Sequence, residues 1–379
     1  MWSAPPSSDD SPEARRYNRI HRGLSIADAA LGLGLMLVLL ISGWSHTLRD
    51  LAFRIARGQN YVLALFVYLL FLMLLSKALG LGIDFYGFRL EHQYHLSNQR
   101  WRGWLWDQLK GFLVGLAISA ILAEIFYLLV REFPQSWWIV AWAAFMVLFV
   151  LFAQIAPVVL FPIFYKFKPL DNSELRSRLT RLSENAGTRV RGVYDWNLSE
   201  KSQKANAALT GWGATRRIIL SDTLLANYSD DEIEAVLAHE LGHHVRRHIF
   251  KSMIVQAVIT FAGFWALKWV LRWAVLRKEW FISQFDFANL PLIILVTTLL
   301  SLALMPLLNA YSRRNEREAD RYAWQSIPAI APFISAMNKL ATQNLAERRP
   351  SRIVEILFHS HPPIGKRIAA AEAWAKPRI

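Results

Sequence analysis

The sequence predicts a mostly α-helical, polytopic membrane protein of about six spans, with a small α+β portion on one side of the bilayer. Three observations lead there. Of 379 residues, 54% are hydrophobic, including 16 tryptophans and 22 phenylalanines, more than a soluble core of this length absorbs. Six apolar stretches each approach the roughly 20 residues that a bilayer core requires. Two long polar segments, 165–249 and 309–379, lie outside the spans, and the first carries helix caps and strand-like runs.

Residues 1–25 read as a polar, disordered tail ending in a basic anchor of Arg15, Arg16, Arg19 and Arg22, too polar for a signal peptide. The anchor places the N-terminus on the cytosolic side. A four-span region, 26–164, follows. Its stretches run from Ile26 to Ser45, where Gly32 and Gly34 permit close helix approach, and from Tyr61 to Leu81, where Lys77 can snorkel. They continue from Leu109 to Val130, carrying Glu124, and from Trp137 to Phe164, with Pro157 and Pro162 near its exit. A two-span hairpin, 250–308, contains Phe250 to Val270 and Leu290 to Leu308. Trp44, Trp104, Trp106, Trp137, Trp138, Trp269 and Trp273 fall at predicted ends, as interfacial belts do. An even number of spans puts both polar segments in the cytosol. Arg49, Arg54, Arg57, Arg277 and Lys278 would then lie outside, the first three in a loop or an interfacial amphipathic helix.

Asp84 to Gln108 reads as a polar cytosolic loop. Its His92 and His95 lack an acidic or cysteine partner at ligand spacing and read as solvated. The net charge of +14 suits the positive-inside tendency and anionic headgroups, and no nucleic-acid motif accompanies it, so nucleic acid is not an expected partner. The absence of cysteine excludes disulfides and thiolate metal sites.

Within 165–249, Asp171 with Glu174 predicts a capped helix whose apolar face is Leu175, Leu179 and Leu182, stopped by Gly187. Val190 to Tyr194 predicts a strand. Ala205 to Thr210 and Arg217 to Leu220, flanking Gly211-Trp212-Gly213-Ala214, predict a hairpin. Ser229 with Glu232 is a second capping box, and it opens the helix carrying His239-Glu240-Leu241-Gly242-His243.

That HExxH run puts two imidazoles one helical turn apart, so His239 and His243 can face one divalent ion, with Glu240 placed to take a proton from water there. A catalytic zinc site needs a third protein ligand. Glu316, in YSRRNEREAD, is the strongest candidate, with Asp320 one turn further on to orient a ligand histidine. The helix of His243 is expected to run straight into the fifth span, and Glu316 follows the sixth. Both then stand roughly 10–12 Å from the membrane boundary at 1.5 Å per residue.

HELGHH with SRRNEREAD resembles the integral-membrane zinc proteases of the CAAX prenyl protease type, whose pattern is HELGH followed by SRxxExxAD. FPIFYKFKPL, KANAALTGWGATRRIILSDTLL and FHSHPPIGKRI extend the likeness from about Arg89 to Arg367. The resemblance implies helices enclosing an intramembrane chamber, one zinc ion per chain on His239, His243 and Glu316, and Glu240 as base. It implies that Asp320 supports the ligands or donates a proton. Asn206, Ala207 and Gly211 match the strand that pairs with substrate backbone. His361 and Arg367 match positions near the cleft, His361 to steady an oxyanion or product carboxylate unless Pro362 and Pro363 mark a structural turn. Lys204-Ala205, His244, His95 and the short Leu225–Asp231 loop depart from the family's pattern, as does the lack of one more N-terminal span found in eukaryotic members. The compact form fits a prokaryotic member in a bacterial inner membrane.

The expected function is therefore zinc-dependent cleavage of a peptide or protein, prenylated or not, near its C-terminus, at the bilayer's cytosolic face. A quality-control protease of broad specificity is the nearest alternative. A catalytically silent membrane scaffold is an alternative of another class, and a transporter using Lys77, Glu124 and Gln154 is a third.

Overall fold

The computed structural model describes residues 10–58, 60–211, 215–276 and 280–376. The predicted turn positions Trp212 to Ala214, and Arg277 and Lys278, lie outside them. Among the described residues, six helices are long and apolar enough to cross a membrane. They are α1 (Pro12–Ile41), α3 (Tyr61–Gln93), α4 (Trp101–Glu132), the run Trp137–Phe164, α10 (His248–Leu276) and the run Phe287–Ser326. None of the apolar window of Trp137–Phe164 is buried inside the protein, so that surface is made for lipid or for an internal space. Within this run, α5 (Trp137–Ile155) passes through a π-helical turn at Ala156–Leu160 into α6 (Phe161–Phe164). Pro157 and Pro162, which cannot donate to the helical ladder, mark the change.

Three expectations need correction. The helix α1 begins at Pro12, capped by Ser11, so the described part of the expected disordered tail is helical. Asp84 to Gln108 is not a loop: α3 continues to Gln93 and α4 starts at Trp101, because polar residues can prolong a helix beyond the bilayer once its apolar part is formed. Last, α9 (Asp230–Val245) does not run straight into the fifth span. It ends in a break at Arg246 and Arg247, the latter left-handed at φ 55°, before α10 begins. The outer loop is helical instead, α2 (Trp44–Ile55), as its amphipathic alternative anticipated.

A cavity of about 620 Å³ opens between α1, α3, α4 and the helix α11 (Leu290–Ser326), with Asp28, Met73, Ser76, Ser119 and Thr297 on its walls. Tyr127, also on its walls, belongs to a polar and aromatic cluster. Ser45 donates to the Ala288 carbonyl at 2.6 Å, Tyr127 donates to Asn289 at 2.7 Å, and Phe287 is fully buried among Phe53, Tyr61 and Tyr68.

The α+β portion has a four-stranded sheet in the order β1 (Phe167–Pro169), β2 (Gly192–Trp196), β4 (Arg217–Ser221), β3 (Ala207–Thr210). The pair β3–β4 is antiparallel as predicted, Ala207 opposite Leu220, while β2–β4 is parallel and β1, short and unpredicted, closes the far edge. The helix α7 (Ser173–Asn185) is capped by Asn172 rather than Asp171, and Leu175, Leu179 and Leu182 bury the expected face. Its core merges with Ile218, Leu220, Leu237, Leu241, Phe333 and Met337, joining the sheet, α9 and α12 (Ala331–Gln343). Two short helices, α13 (Arg352–Phe358) and α14 (Ile364–Ala375), complete the C-terminal segment.

The N-terminal helix clasps that segment. Asp10 accepts from the amide of Arg348, Asn18 donates to the Leu345 carbonyl at 2.6 Å, and Arg22 grips Glu347 through both guanidinium nitrogens.

Candidate metal centre

The site forms where α9 crosses α11. At the crossing a Cβ on Gly242 would lie 2.9 Å from both the Cα and the carbonyl oxygen of Ala319, so only glycine lets the helices approach this closely. Gly242 lies between His239 and His243, and Ala319 between Glu316 and Asp320. The close approach therefore brings both halves of the site together. The capping box is present in full: the Ser229 amide donates to Glu232 at 2.8 Å, and the Glu232 amide donates to Ser229 at 3.4 Å. It fixes the start of α9.

His239, His243 and Glu316 each turn one donor atom towards a common point. The two Nε2 atoms are 3.3 Å apart, and Glu316 faces them with both oxygens, Oε2 at 3.2 Å from His239 and Oε1 at 3.3 Å from His243. Bonds of 2.0–2.1 Å at tetrahedral angles set ligand atoms roughly 3.3–3.4 Å apart, so the histidine pair with the carboxylate against it suits one zinc-sized ion. The Oε2 atom of Glu316 is buried without a hydrogen bond of good geometry, which leaves a lone pair for a cation. Among the described residues this is the one trio of histidine and carboxylate groups arranged to hold a metal.

The surroundings of His239 favour positive charge. Burial and the Arg367 guanidinium push its pKa down, but hydrogen bonds to Asp320 and Glu316 outweigh them and pull it up to about 9. A divalent ion satisfies the same field in place of a proton. The Nδ1–H of His239 donates to Asp320 at 2.8 Å, which directs Nε2 at the site. Glu240 is half-buried and makes no hydrogen bond or ion pair among the described residues, so its carboxylate is free to accept a proton.

Arg367, expected near the cleft, lies beside the metal centre. Its guanidinium binds Asp320 through two nitrogens, at 2.9 and 2.6 Å, with only 10% of the side chain exposed. It thus holds Asp320 behind His239. His361 stands 3.3 Å from Glu316 with its side chain 62% exposed. It is held there by α11, whose Arg313 donates to the carbonyls of Glu355 and His359 and whose Asn309 donates to Leu357. Sequence reading missed Arg313 and Asn309, because their partners lie more than forty residues away in the chain.

The expected substrate strand is the edge strand β3. The amide of Ser221 donates to the Asn206 carbonyl, and alternation then turns the main-chain groups of Ala207 and Leu209 outwards. Asn206 itself is exposed, and Gly211 ends the strand at φ 86°, where a Cβ would meet the Thr215 carbonyl at 2.6 Å. His92, between the carbonyls of Phe88 and Gln99 at 2.8 and 2.9 Å, packs as part of the α3 end, apart from the metal centre.

Comparison with known proteins identifies the family. The model of Peptidase family M48 matches residues 169–375, and that of the CAAX prenyl protease N-terminal region, with five membrane helices, matches residues 7–166. The latter region holds α1 to α6 here. The metalloprotease YhfN of Bacillus subtilis is 31% identical over 367 residues, covering 95% of this chain and 84% of that protein. CAAX prenyl protease 1 of Saccharomyces cerevisiae is 28% identical over 323 residues, covering 79% and 70%. The crystal structure of S. mikatae Ste24p shares the fold with a TM-score of 0.87, over 98% of this chain and 92% of that one, at 24% identity. With a model of the family matching more than half its length and a relative above 30% identity along nearly all of it, this chain belongs to peptidase family M48 and is a multi-pass membrane metalloendopeptidase.

Proposed function

We propose that the chain uses zinc to cleave peptides near their C-terminus, at the cytosolic face of a bacterial inner membrane, with CAAX-type sequences as its substrate class. The observation that carries the reading is the triangle of His239, His243 and Glu316 with the unpaired Glu240 beside it. The relatives named for CAAX processing support the substrate class.

Zinc bound to His239, His243 and Glu316 would supply Lewis acidity at the scissile carbonyl and at an attacking water. Glu240 takes the water's proton and passes it to the leaving amine. The substrate lies extended along β3, pairing with the outward main-chain groups of Ala207 and Leu209. His361, exposed beside Glu316, donates to the developing oxyanion. Asp320, clamped by Arg367, holds His239 by accepting its Nδ1–H. The domains follow this division: a basic N-terminal segment, the four-span region, the HExxH portion, the two-span hairpin and the C-terminal portion bearing Glu316.

The test is a Glu240→Gln protein offered matched peptides with and without a prenyl group. It should bind zinc as the parent does and lose turnover by at least about a thousandfold, as loss of a general base together with its charge implies. Parent-like turnover would refute the mechanism. Cleavage by the parent that ignores distance from the C-terminus would refute the substrate class.

A further inference from the structure

A histidine that offers Nε2 to a metal must carry its proton on Nδ1, and that N–H needs an acceptor. The two candidate ligand histidines meet this need differently. His239 donates directly to Asp320. The Nδ1 atom of His243 lies instead 3.1 Å from Nδ1 of His248, and Nε2 of His248 lies 3.2 Å from Oε2 of Glu318. His248 is only 3% exposed, and its ring stands nearly perpendicular to that of His243 at an interplanar angle of 75°.

With both histidines neutral and Nε2 of His243 reserved for a metal, one placement of protons satisfies every atom. His243 Nδ1–H donates to Nδ1 of His248, and His248 Nε2–H donates to Glu318. Moving the His248 proton to Nδ1 would set two N–H groups against each other and a ring lone pair against a carboxylate. The break after α9 makes the contact possible. Arg247, left-handed at φ 55°, reverses the chain so that His248, five residues beyond His243, returns to its ring. In a continuous helix these two residues would lie well around the axis from each other. Glu318 is steadied in turn by Arg314 at 3.3 Å.

We propose that His248 and Glu318 form a positioning relay that sets the tautomer and orientation of His243 as a metal ligand. The proposal rests on the zinc reading given above. It makes the two histidines unequal: one is oriented by a buried carboxylate, the other by an imidazole that passes the demand to a carboxylate 30% exposed.

The test uses the full chain in detergent, as parent, His248→Leu, His248→Gln, Glu318→Leu and Glu318→Gln. Zinc dissociation constants come from chelator competition, and metal-free thermal unfolding is measured alongside. Leucine at 248 removes both the acceptor and the donor and should weaken zinc binding about 10–100-fold. Glutamine offers an acceptor and a donor on one planar group and should stay within about threefold of the parent. Glu318→Leu should weaken binding about 3–10-fold while Glu318→Gln, which keeps an acceptor oxygen, should not. A merely structural role would lower metal-free stability and zinc affinity together, and glutamine would not rescue affinity. The relay is overturned if the parent binds zinc and His248→Leu or Glu318→Leu binds it as tightly. It is overturned equally if Gln and Leu at 248 lose the same affinity. A parent that binds no zinc would overturn the metal reading itself, and the relay with it.

Discussion

Replacing Gly242 by alanine adds one methyl group where α9 crosses α11. That carbon would sit 2.9 Å from the Cα and carbonyl oxygen of Ala319 and 3.2 Å from its Cβ. Carbon contacts are ordinarily about 3.5–4.0 Å, so the helices must part locally by roughly 0.5–1 Å. Because the obstacle is backbone, no rotamer change relieves it. The added methyl should cost about 1–3 kcal/mol in stability, the usual range for overpacking a filled site. It should also widen the contacts of 3.2–3.3 Å that join α9 to α11, since the two histidines ride on one helix and the carboxylate on the other. A site built for bonds of 2.0–2.1 Å does not tolerate such stretching, and zinc affinity should fall at least about tenfold. Thermal unfolding with and without zinc, plus chelator competition, measures both effects. Ala319→Gly should not fully restore a Gly242→Ala protein, because the Cα and carbonyl contacts remain. A Gly242→Ala protein with the parent's zinc affinity and a Tm within about 1 °C would refute the reasoning.

Other outcomes follow from the same geometry. Leu209→Pro removes an outward amide from the edge of β3 and should raise KM for peptides at least about fivefold while leaving zinc binding unchanged, as steady-state kinetics and chelator competition will report. Glu232 is buried, which pushes its pKa up, but hydrogen bonds from Lys339, Ser335 and the Ser229 amide outweigh this and hold it below the ordinary carboxylate range. Its contribution is therefore fully present above about pH 4.5 and is lost as pH falls through the depressed value. Glu232→Gln should cost about 1–3 kcal/mol at pH 7, and in denaturant titrations its stability should converge on the parent's as pH falls through that depressed value. Arg22→Ala leaves the Glu347 carboxylate, 7% exposed, without its partner and should cost about 1–3 kcal/mol in thermal unfolding. This is less than for a fully buried pair, because Arg22 keeps 21% of its side chain in solvent.

What the sequence by itself determined rests on local, periodic signals. Apolar stretches long enough for a bilayer announce spans. A spacing of four puts His239 and His243 on one face, and Ser229 with Glu232 announces the start of their helix. Glu316 and Asp320 were legible because a helix also sets them one turn apart and because both followed a span. The tertiary structure alone decided what depends on distant partners or on a single unusual backbone angle. Nothing local marks Arg247 as left-handed, yet that residue separates α9 from α10 and returns His248 to His243. Nothing near Arg367 in the chain names its partner, Asp320, which it meets from 47 positions away. Asp10 looked like part of a disordered tail because its partners, the amides of Arg348 and Arg349, are more than three hundred residues further on. The glycine of HELGH is the sharpest case. Its place in the sequence says only that a small residue stands between two histidines, whereas the crossing with Ala319 shows why nothing larger fits.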